Sequence, residues 1–219
     1  MARYPSRMLY QPPAFQEARP EILHPLIREA RLGMLASNGA NGVPDITHLP
    51  FVLEASHGPL GTLYGHVARA NPHWRRLAEA GRAVAVFRGA EAYVSPNFYP
   101  SKAEHHRVVP TWNYEAVHAE GTVALIEAPE ELLNLVTQLT EHSERFQPRP
   151  WQVREAPVDF VYSQLRGIVG IALTIESLLG KRKMSQNRAP ADRDGAIAGL
   201  ANSADPRDQA AAAAMARGD

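Results

Sequence analysis

The sequence contains no cysteine among its 219 residues. That excludes disulfides, thiolate nucleophiles, zinc–thiolate sites and iron–sulfur clusters together. It carries no net charge either, since 23 Lys and Arg balance 23 Asp and Glu. No global basic field therefore attracts nucleic acid, although a local patch stays open. No apolar run approaches the roughly 18 residues needed to span a membrane, and Met1–Phe15 does not read as a signal peptide. A cytoplasmic protein without membrane contact is expected. The Gly-x-Ser-x-Gly elbow of serine hydrolases and the Gly-x-Gly-x-x-Gly dinucleotide fingerprint are both missing. Histidines stand at positions 24, 48, 57, 66, 73, 105, 106, 118 and 142. They form neither a His-Glu-x-x-His helix nor a Cys/His ligand set, so no metal site is expected.

What is present is a mainly β pattern with helical excursions. The proline-bearing stretch Met8–Phe15 reads as an extended arm. Ile22, Leu23, Leu26 and Ile27 make a helical stripe that Pro25 interrupts, so that helix either bends or starts late. Leu32–Ser37 and Asp45–Leu53 form a hairpin across an Asn/Gly-rich turn. In its second strand Ile46, His48 and Pro50 face one side, and Thr47, Leu49 and Phe51 the other. Further strands are expected at Gly61–His66, Ala83–Phe87, Ala92–Ser95, Ala116–Glu127 and Ile168–Ile175, with helices after Asn71, from Pro129 and from Pro157 to Arg166. Six or seven strands with short turns suit an antiparallel barrel better than alternating parallel units. Lys102–Arg107 reads as an exposed polar loop. From Ala189 the composition turns to Ala, Asp, Arg and Gly. The expected organisation is thus a domain over 1–188 and a disordered or loosely helical tail over 189–219.

One stretch stands out for chemistry: Gly65-His66-Val67-Ala68-Arg69-Ala70-Asn71-Pro72-His73-Trp74. A strand ends, Arg69 follows, then Asn71 as N-cap and Pro72 at the first helical position start a helix. An arginine delivered to a helix N-terminus builds an anion site, because free amides and the guanidinium meet. The alternative is an ordinary strand–helix junction with a solvated arginine. Ser95, Lys102 and Thr111 are further donors for a phosphate, and Trp112, Tyr114 and Trp151 offer flat surfaces for a ring system or for core packing. Gly180–Arg188 gathers four cations, either as a solvated basic end or as a strap that faces a ligand or nucleic acid. Nothing reads as a helix-turn-helix: the Gln147–Pro150 linker between two helices is too proline-rich for the usual short turn.

Four ordered motifs carry a resemblance. Gly65–Trp74, Tyr93-Val94-Ser95-Pro96, Val109–Tyr114 and Lys183-Met184-Ser185-Gln186-Asn187 resemble, in the same order, motifs of the PaiB family of FMN-binding negative transcriptional regulators. The likeness runs from about Met8 to Leu200 and leaves out only the alanine-rich end. Met184 stands where leucine is expected, and Asn97-Phe98 where a Ser/Thr-Trp pair is expected. The resemblance implies an antiparallel FMN-binding split β-barrel, usually a homodimer with flavin at the subunit interface. In such flavoproteins a small-residue–Arg–Lys step grips the FMN phosphate. Ala68-Arg69 occupies that step, but Ala70 replaces the second cation, so another residue must contribute. The resemblance further implies that His48 and Pro50 lie in the strand lining the flavin ring. It also implies that Thr111, Trp112, Asn113 and the Lys183–Asn187 strap come from the partner subunit. The cofactor-binding candidates are then His48, His66, Arg69, Asn71, Ser95, Lys102, Thr111, Trp112, Asn113, Lys183, Ser185 and Gln186; no catalytic residue is assigned. A repressor is the leading expectation. An FMN-dependent oxidoreductase and a haem-handling protein are the alternatives, because the same barrel hosts several activities.

Overall fold

The computed structural model describes residues 9–39 and 41–217. Met8, at the head of the expected arm, and Ala40, in the expected hairpin turn, lie outside them. Strands and helices follow in the order β1 (Gln16–Glu17), α1 (Pro20–Glu29), β2 (Gly33–Ser37), β3 (Asp45–Leu49), β4 (Val52–Glu54), β5 (Thr62–Ala68), α2 (His73–Ala80), β6 (Arg82–Val94) and α3 (Ser101–His105). They continue with β7 (Thr111–Ile126), α4 (Pro129–Glu144), α5 (Val158–Leu165), β8 (Ile168–Lys183), α6 (Pro190–Ala201) and α7 (Pro206–Ala216). The strands form one sheet in the order β3-β2-β6-β7-β8-β5-β4, with β1 on β8. Antiparallel pairing joins β2 to β3 and β6, β4 to β5, and β8 to β5 and β1. The antiparallel expectation holds.

By packing, the chain divides into two units. The first takes in the chain up to Arg19, Arg88–Val117 and the chain from Leu179; the second holds Pro20–Phe87 and His118–Leu178. None of the four boundaries of this division coincides with residue 188.

In the second unit the inward faces of β2, β5, β6 and β8 bury Leu35, Leu63, Ala85, Phe87, Ile171 and Leu173 to 2% exposure or less. The rings of Phe51 and Phe87 meet edge-to-face with centroids 5.8 Å apart, the arrangement favoured by aromatic quadrupoles. The sheet curls tightly at Gly65: a Cβ there would lie 2.8 Å from Leu49 Cδ1 and 3.0 Å from the Pro50 carbonyl. Only a glycine lets the corner after β3 approach β5 so closely. Helix α1 includes Pro25 and still buries Leu23, Leu26 and Ile27. Of the two readings of that helix, the early start is the one observed. Helix α4 buries Leu132, Leu135 and Leu139, and α5 adds Leu165 to the same cluster. The strand alternation read in β3 is found as expected, with Ile46 and His48 exposed, Thr47 half-buried and Leu49 buried.

The first unit departs from the expectations most. Residues 189–219 were read as disordered or loosely helical, but α6 and α7 are ordered helices. They bury Ala196, Leu200, Ala211, Ala212, Ala214 and Met215 against Ala92, Val94, Tyr99 and Met184. Alanine is the best helix former, and its small side chain lets a helix pack closely where large apolar residues are scarce. Gly195 and Gly199 let α6 approach further. A Cβ at Gly195 would lie 2.1 Å from the Phe98 carbonyl oxygen, and one at Gly199 2.3 Å from the Phe98 ring. The Lys102–Arg107 stretch overlaps α3, whose start is fixed by Asp192: its carboxylate accepts from the Ser101 amide at 3.1 Å and hydroxyl at 2.7 Å. Gly89, in the gap between the expected Ala83–Phe87 and Ala92–Ser95 strands, lies inside a continuous β6. It faces Glu115, whose Cβ would sit 2.8 Å from a side chain at that position.

Candidate functional site

The junction singled out in the sequence belongs to the second unit. Ala68 of β5 pairs with Ile168 of β8, and this register brings Arg69 beside the turn after α5. The Arg69 amide donates to the Gly167 carbonyl at 2.8 Å. Its guanidinium donates to the carbonyls of Arg166 and Ile168, each at 3.1 Å, and to the Glu127 carboxylate at 2.8 Å. Arg69 also lies over the Trp74 ring, 5.8 Å from its centroid, and the Trp74 indole donates to the Arg69 carbonyl at 2.9 Å. Helix α2 starts two residues after Asn71. The Asn71 side chain accepts the His73 amide at 3.0 Å and donates to Thr47 Oγ1 at 3.2 Å, so it caps the turn as an Asx motif. Gly81, with φ of 64°, ends the helix as expected.

Three of the five guanidinium N–H donors of Arg69 are thus used within the chain. The group is still a credible phosphate ligand, because a cavity of about 350 Å³ opens at it, lined by Arg69, Arg166, Glu127 and Tyr162 over Leu132 and Leu165. Arg166 answers the question left by Ala70: it is a second cation on the same cavity. A phosphate there would take the place of the exposed Glu127 carboxylate, whose ion pair with Arg69 is half in solvent and correspondingly weak. The donor set fits the phosphate of FMN.

His48 and His66 differ in exposure. His48 pairs with Met34 on β2 and is exposed next to Ile46, which is 51% exposed. His66 is opposite Gly170 and half-buried. Its Nδ1 is enclosed without a hydrogen-bond partner among the described residues, and burial holds its pKa below the usual histidine value.

The remaining candidates lie in the first unit. Lys183 donates to Thr111 Oγ1 at 2.7 Å. Burial lowers the Lys183 pKa, Lys181 and Arg188 add to that, and Tyr114 opposes it. Lys181 sits over two rings, Tyr10 and Tyr114, at 5.2 Å from each centroid. Trp112 is 50% exposed and tilts against Tyr93 with centroids 6.3 Å apart. Thr111, Trp112 and Lys183 are therefore accessible or near it. Asn113 and Ser185 are not: both are buried, and the Asn113 amide donates to Ser185 Oγ at 2.9 Å. Gln186 accepts the Met184 amide at 2.7 Å and donates to the Arg182 carbonyl at 2.6 Å. These three shape the strap after β8, where Ser185 takes a φ of 62°. Ser95 Oγ accepts the Asn97 amide at 3.2 Å and Lys102 donates to the Asn97 side chain, so both organise the loop before α3.

Sequence reasoning missed Arg166 and the buried pair Arg182–Glu115, which meet at 2.9 Å. Arg166 ends a helix and reads as a cation complementing its dipole; only the β5–β8 register discloses its neighbour. Lys181 and Arg182 lay in a run read either as a solvated basic end or as a ligand-facing strap after the last strand, whereas β8 continues through them.

Comparison with known proteins agrees with this picture. Residues 9–177 match the family described as "Putative FMN-binding domain". The chain is 36% identical to the Emericella nidulans protein AN0679 over 220 residues, covering 85% of this chain and 88% of that one. It is 30% identical over 198 residues to protease synthase and sporulation protein PAI 2 of Bacillus subtilis, covering 90% of this chain and 92% of that one. Its fold resembles the FAD and heme binding protein from Mycobacterium smegmatis with a TM-score of 0.55, at 20% identity, over 84% of this chain and 79% of that one. The sheet is that of the flavin- and haem-binding split barrels. By the family match and by its kinship with PAI 2, this chain belongs to the PaiB family of FMN-binding proteins.

Proposed function

We propose that the protein is a dimeric FMN-binding regulator whose flavin is held by its phosphate at Arg69 and Arg166. The observation that carries this is the pair of arginines on one cavity, at the strand–helix junction of a chain from an FMN-binding family. FMN, when bound, supplies one- and two-electron redox chemistry. The chain supplies the rest. Arg69 and Arg166 fix the phosphate by charge-assisted hydrogen bonds, and the exposed face around His48 flanks the ring. A second copy of the chain contributes Thr111, Trp112 and Lys183. The open sheet face supports a dimer: Met34, Ala36, Val84 and Val86 are half-buried beside the exposed Ile46 and His48, an apolar surface of the kind that interfaces use.

Negative regulation of transcription is supported by kinship with the Bacillus protein named for protease synthesis and sporulation. Balanced charge argues that the chain is not a strong DNA reader by itself, since counterion release supplies most non-specific affinity. Regulation then acts through the flavin or a partner, in the cytoplasm. An FMN-dependent oxidoreductase is the second reading, favoured by the exposed Tyr93–Trp112 pair, on which a planar substrate can stack. The absorption spectrum of the purified protein tests the cofactor: a flavin spectrum with FMN released on denaturation is expected. A haem spectrum, or none after incubation with FMN, overturns the proposal. Turnover of a reduced nicotinamide without any effect on promoter binding would select the enzyme.

A further inference from the structure

Helix α4 presents an apolar stripe to the core and a mixed stripe to a second cavity. Leu132, Leu135 and Leu139 face the core of the second unit. The other stripe, Leu133 and Thr137 continuing to Thr140 and Glu141, forms one wall of a separate cavity of about 530 Å³. Val158, Val161 and Tyr162 of α5 form the second wall, and Gln152–Ala156 the third. The third wall is rigid. Residues 153–155 make a 3₁₀ turn with a reciprocal capping box between Gln152 and Glu155, in which the Gln152 amide donates to Glu155 Oε1 at 2.7 Å. Trp151 is anchored as well, its amide donating to the Glu144 carboxylate at 3.0 Å. The cavity is shaped by the fold and is open to solvent, where Val158 remains 68% exposed.

Its polar lining sorts into two groups. Thr137 donates to the Leu133 carbonyl at 2.7 Å and Tyr162 to Glu130 at 2.7 Å, so both are occupied. The side chains of Thr140, Glu141 and Arg154 hydrogen-bond to none of the described residues, and Glu141 and Arg154 form no ion pair with each other. An apolar cleft therefore has one unpaired cation and one unpaired anion on its walls. The size falls within the range of ligand sites, which are apolar with few convergent polar groups.

We propose that this groove binds a small zwitterion with an apolar body: a short apolar peptide or amino acid, with its carboxylate on Arg154, its ammonium on Glu141 and its side chains on Leu133, Val153 and Val161. A plain carboxylic acid would leave Glu141 facing a like charge or bare. A plain amine would leave Arg154 in the same position. Only a ligand with both charges answers both groups. Tyr162 borders both this groove and the Arg69 cavity, but neither Arg69 nor Arg166 lines the groove, so its occupation does not require flavin.

Calorimetric titration of the FMN-loaded full chain with leucylleucine tests this, with hexanoate and hexylamine as singly charged comparators. Saturable binding of the dipeptide is expected, with each comparator at least about tenfold weaker, in line with the loss of one charge-assisted contact. Arg154→Gln and Glu141→Gln should each weaken the dipeptide about tenfold or more while leaving the flavin spectrum and circular dichroism unchanged, since both side chains are exposed. Val161→Trp should abolish binding by filling the groove. If that variant misfolds, Val158→Asp at the exposed rim should still reduce it. Absence of dipeptide binding overturns the proposal. So does hexanoate binding as tightly as the dipeptide. A dimer that Val158→Asp dissociates would also overturn it, because a second copy would then cover the groove.

Discussion

Arg69 is the residue on which the cofactor proposal turns. Arg69→Ala should weaken FMN by about 1.5–3 kcal/mol, the size of a hydrogen bond to a charged group, as read by flavin fluorescence titration. Arg166→Ala should act in the same direction, and unchanged affinity in both variants would move the phosphate elsewhere. Glu115 tests a different principle. Its carboxylate is 1% exposed and pairs with Arg182, itself 9% exposed. Removing one member of a buried pair leaves an uncompensated charge, so Glu115→Ala should cost about 3–5 kcal/mol in urea unfolding. Histidines set the acid limb of stability. His73 is buried with its ring nitrogens 3.0 Å from Ser37 Oγ and 2.8 Å from Thr47 Oγ1. Burial lowers the pKa of His73, with Asp45 opposing and Arg76 assisting, and burial lowers those of His66 and His118 as well. The unfolded chain then binds more protons than the folded one between the folded values and the ordinary 6.5. Stability is unaffected by these groups above pH 6.5 and falls as pH drops below it. Urea midpoints should decline from pH 7 to 5, and His73→Gln should flatten part of that slope.

At the scale of elements, α6 and α7 carry the clearest expectation. Gly195→Ala drives a methyl into the Phe98 backbone oxygen and Gly199→Ala one into its ring, so both should lower the melting temperature despite the better helix propensity of alanine. A chain ending at Arg188 should expose the Met184, Val94 and Tyr99 cluster and bind a hydrophobic dye. These helices also mark the limit of what the sequence discloses. Elements whose signal is local were legible: the β3 alternation, Gly81 at the end of α2, the start of α4 and, to within a residue, the bounds of α5. The Arg69–Asn71 junction was legible as an element. What escaped depends on neighbours distant in the chain. Gly89 signals a turn by composition, but Glu115 on β7 makes it a point of close approach. Alanine-rich composition reads as disorder until a strand surface exists to bury it. Asn113 and Ser185 read as ligand contacts because polar residues in an ordered motif do, and only packing shows that they satisfy each other.

At the scale of the whole molecule, charge and assembly are the testable quantities. Sedimentation at micromolar concentration should show a dimer with FMN bound; a 24.1 kDa species carrying flavin would remove the shared site. Electrophoretic titration with promoter fragments in about 150 mM salt should give weak, strongly salt-dependent binding. Sequence-specific affinity near 10⁻⁸ M or tighter, typical of dedicated DNA readers, would show that a local patch outweighs the neutral total.

The division of the chain bears on how the protein comes to exist. The first unit takes its parts from three separated stretches. Its opening arm is tied by Gln11 to the Gly180 carbonyl, 169 positions further on, and by Gln16 to Lys181. On the ribosome the arm emerges before Gly180 and Lys181 and waits while the residues between are synthesised. Contacts of such sequence separation close late and slowly, so the nascent chain carries Tyr10 and the arm unattached until β8 is released. The second unit, from Pro20 to Leu178, is complete before that moment. The strap residues therefore acquire their final environment only once β8 has emerged and the arm has paired with it.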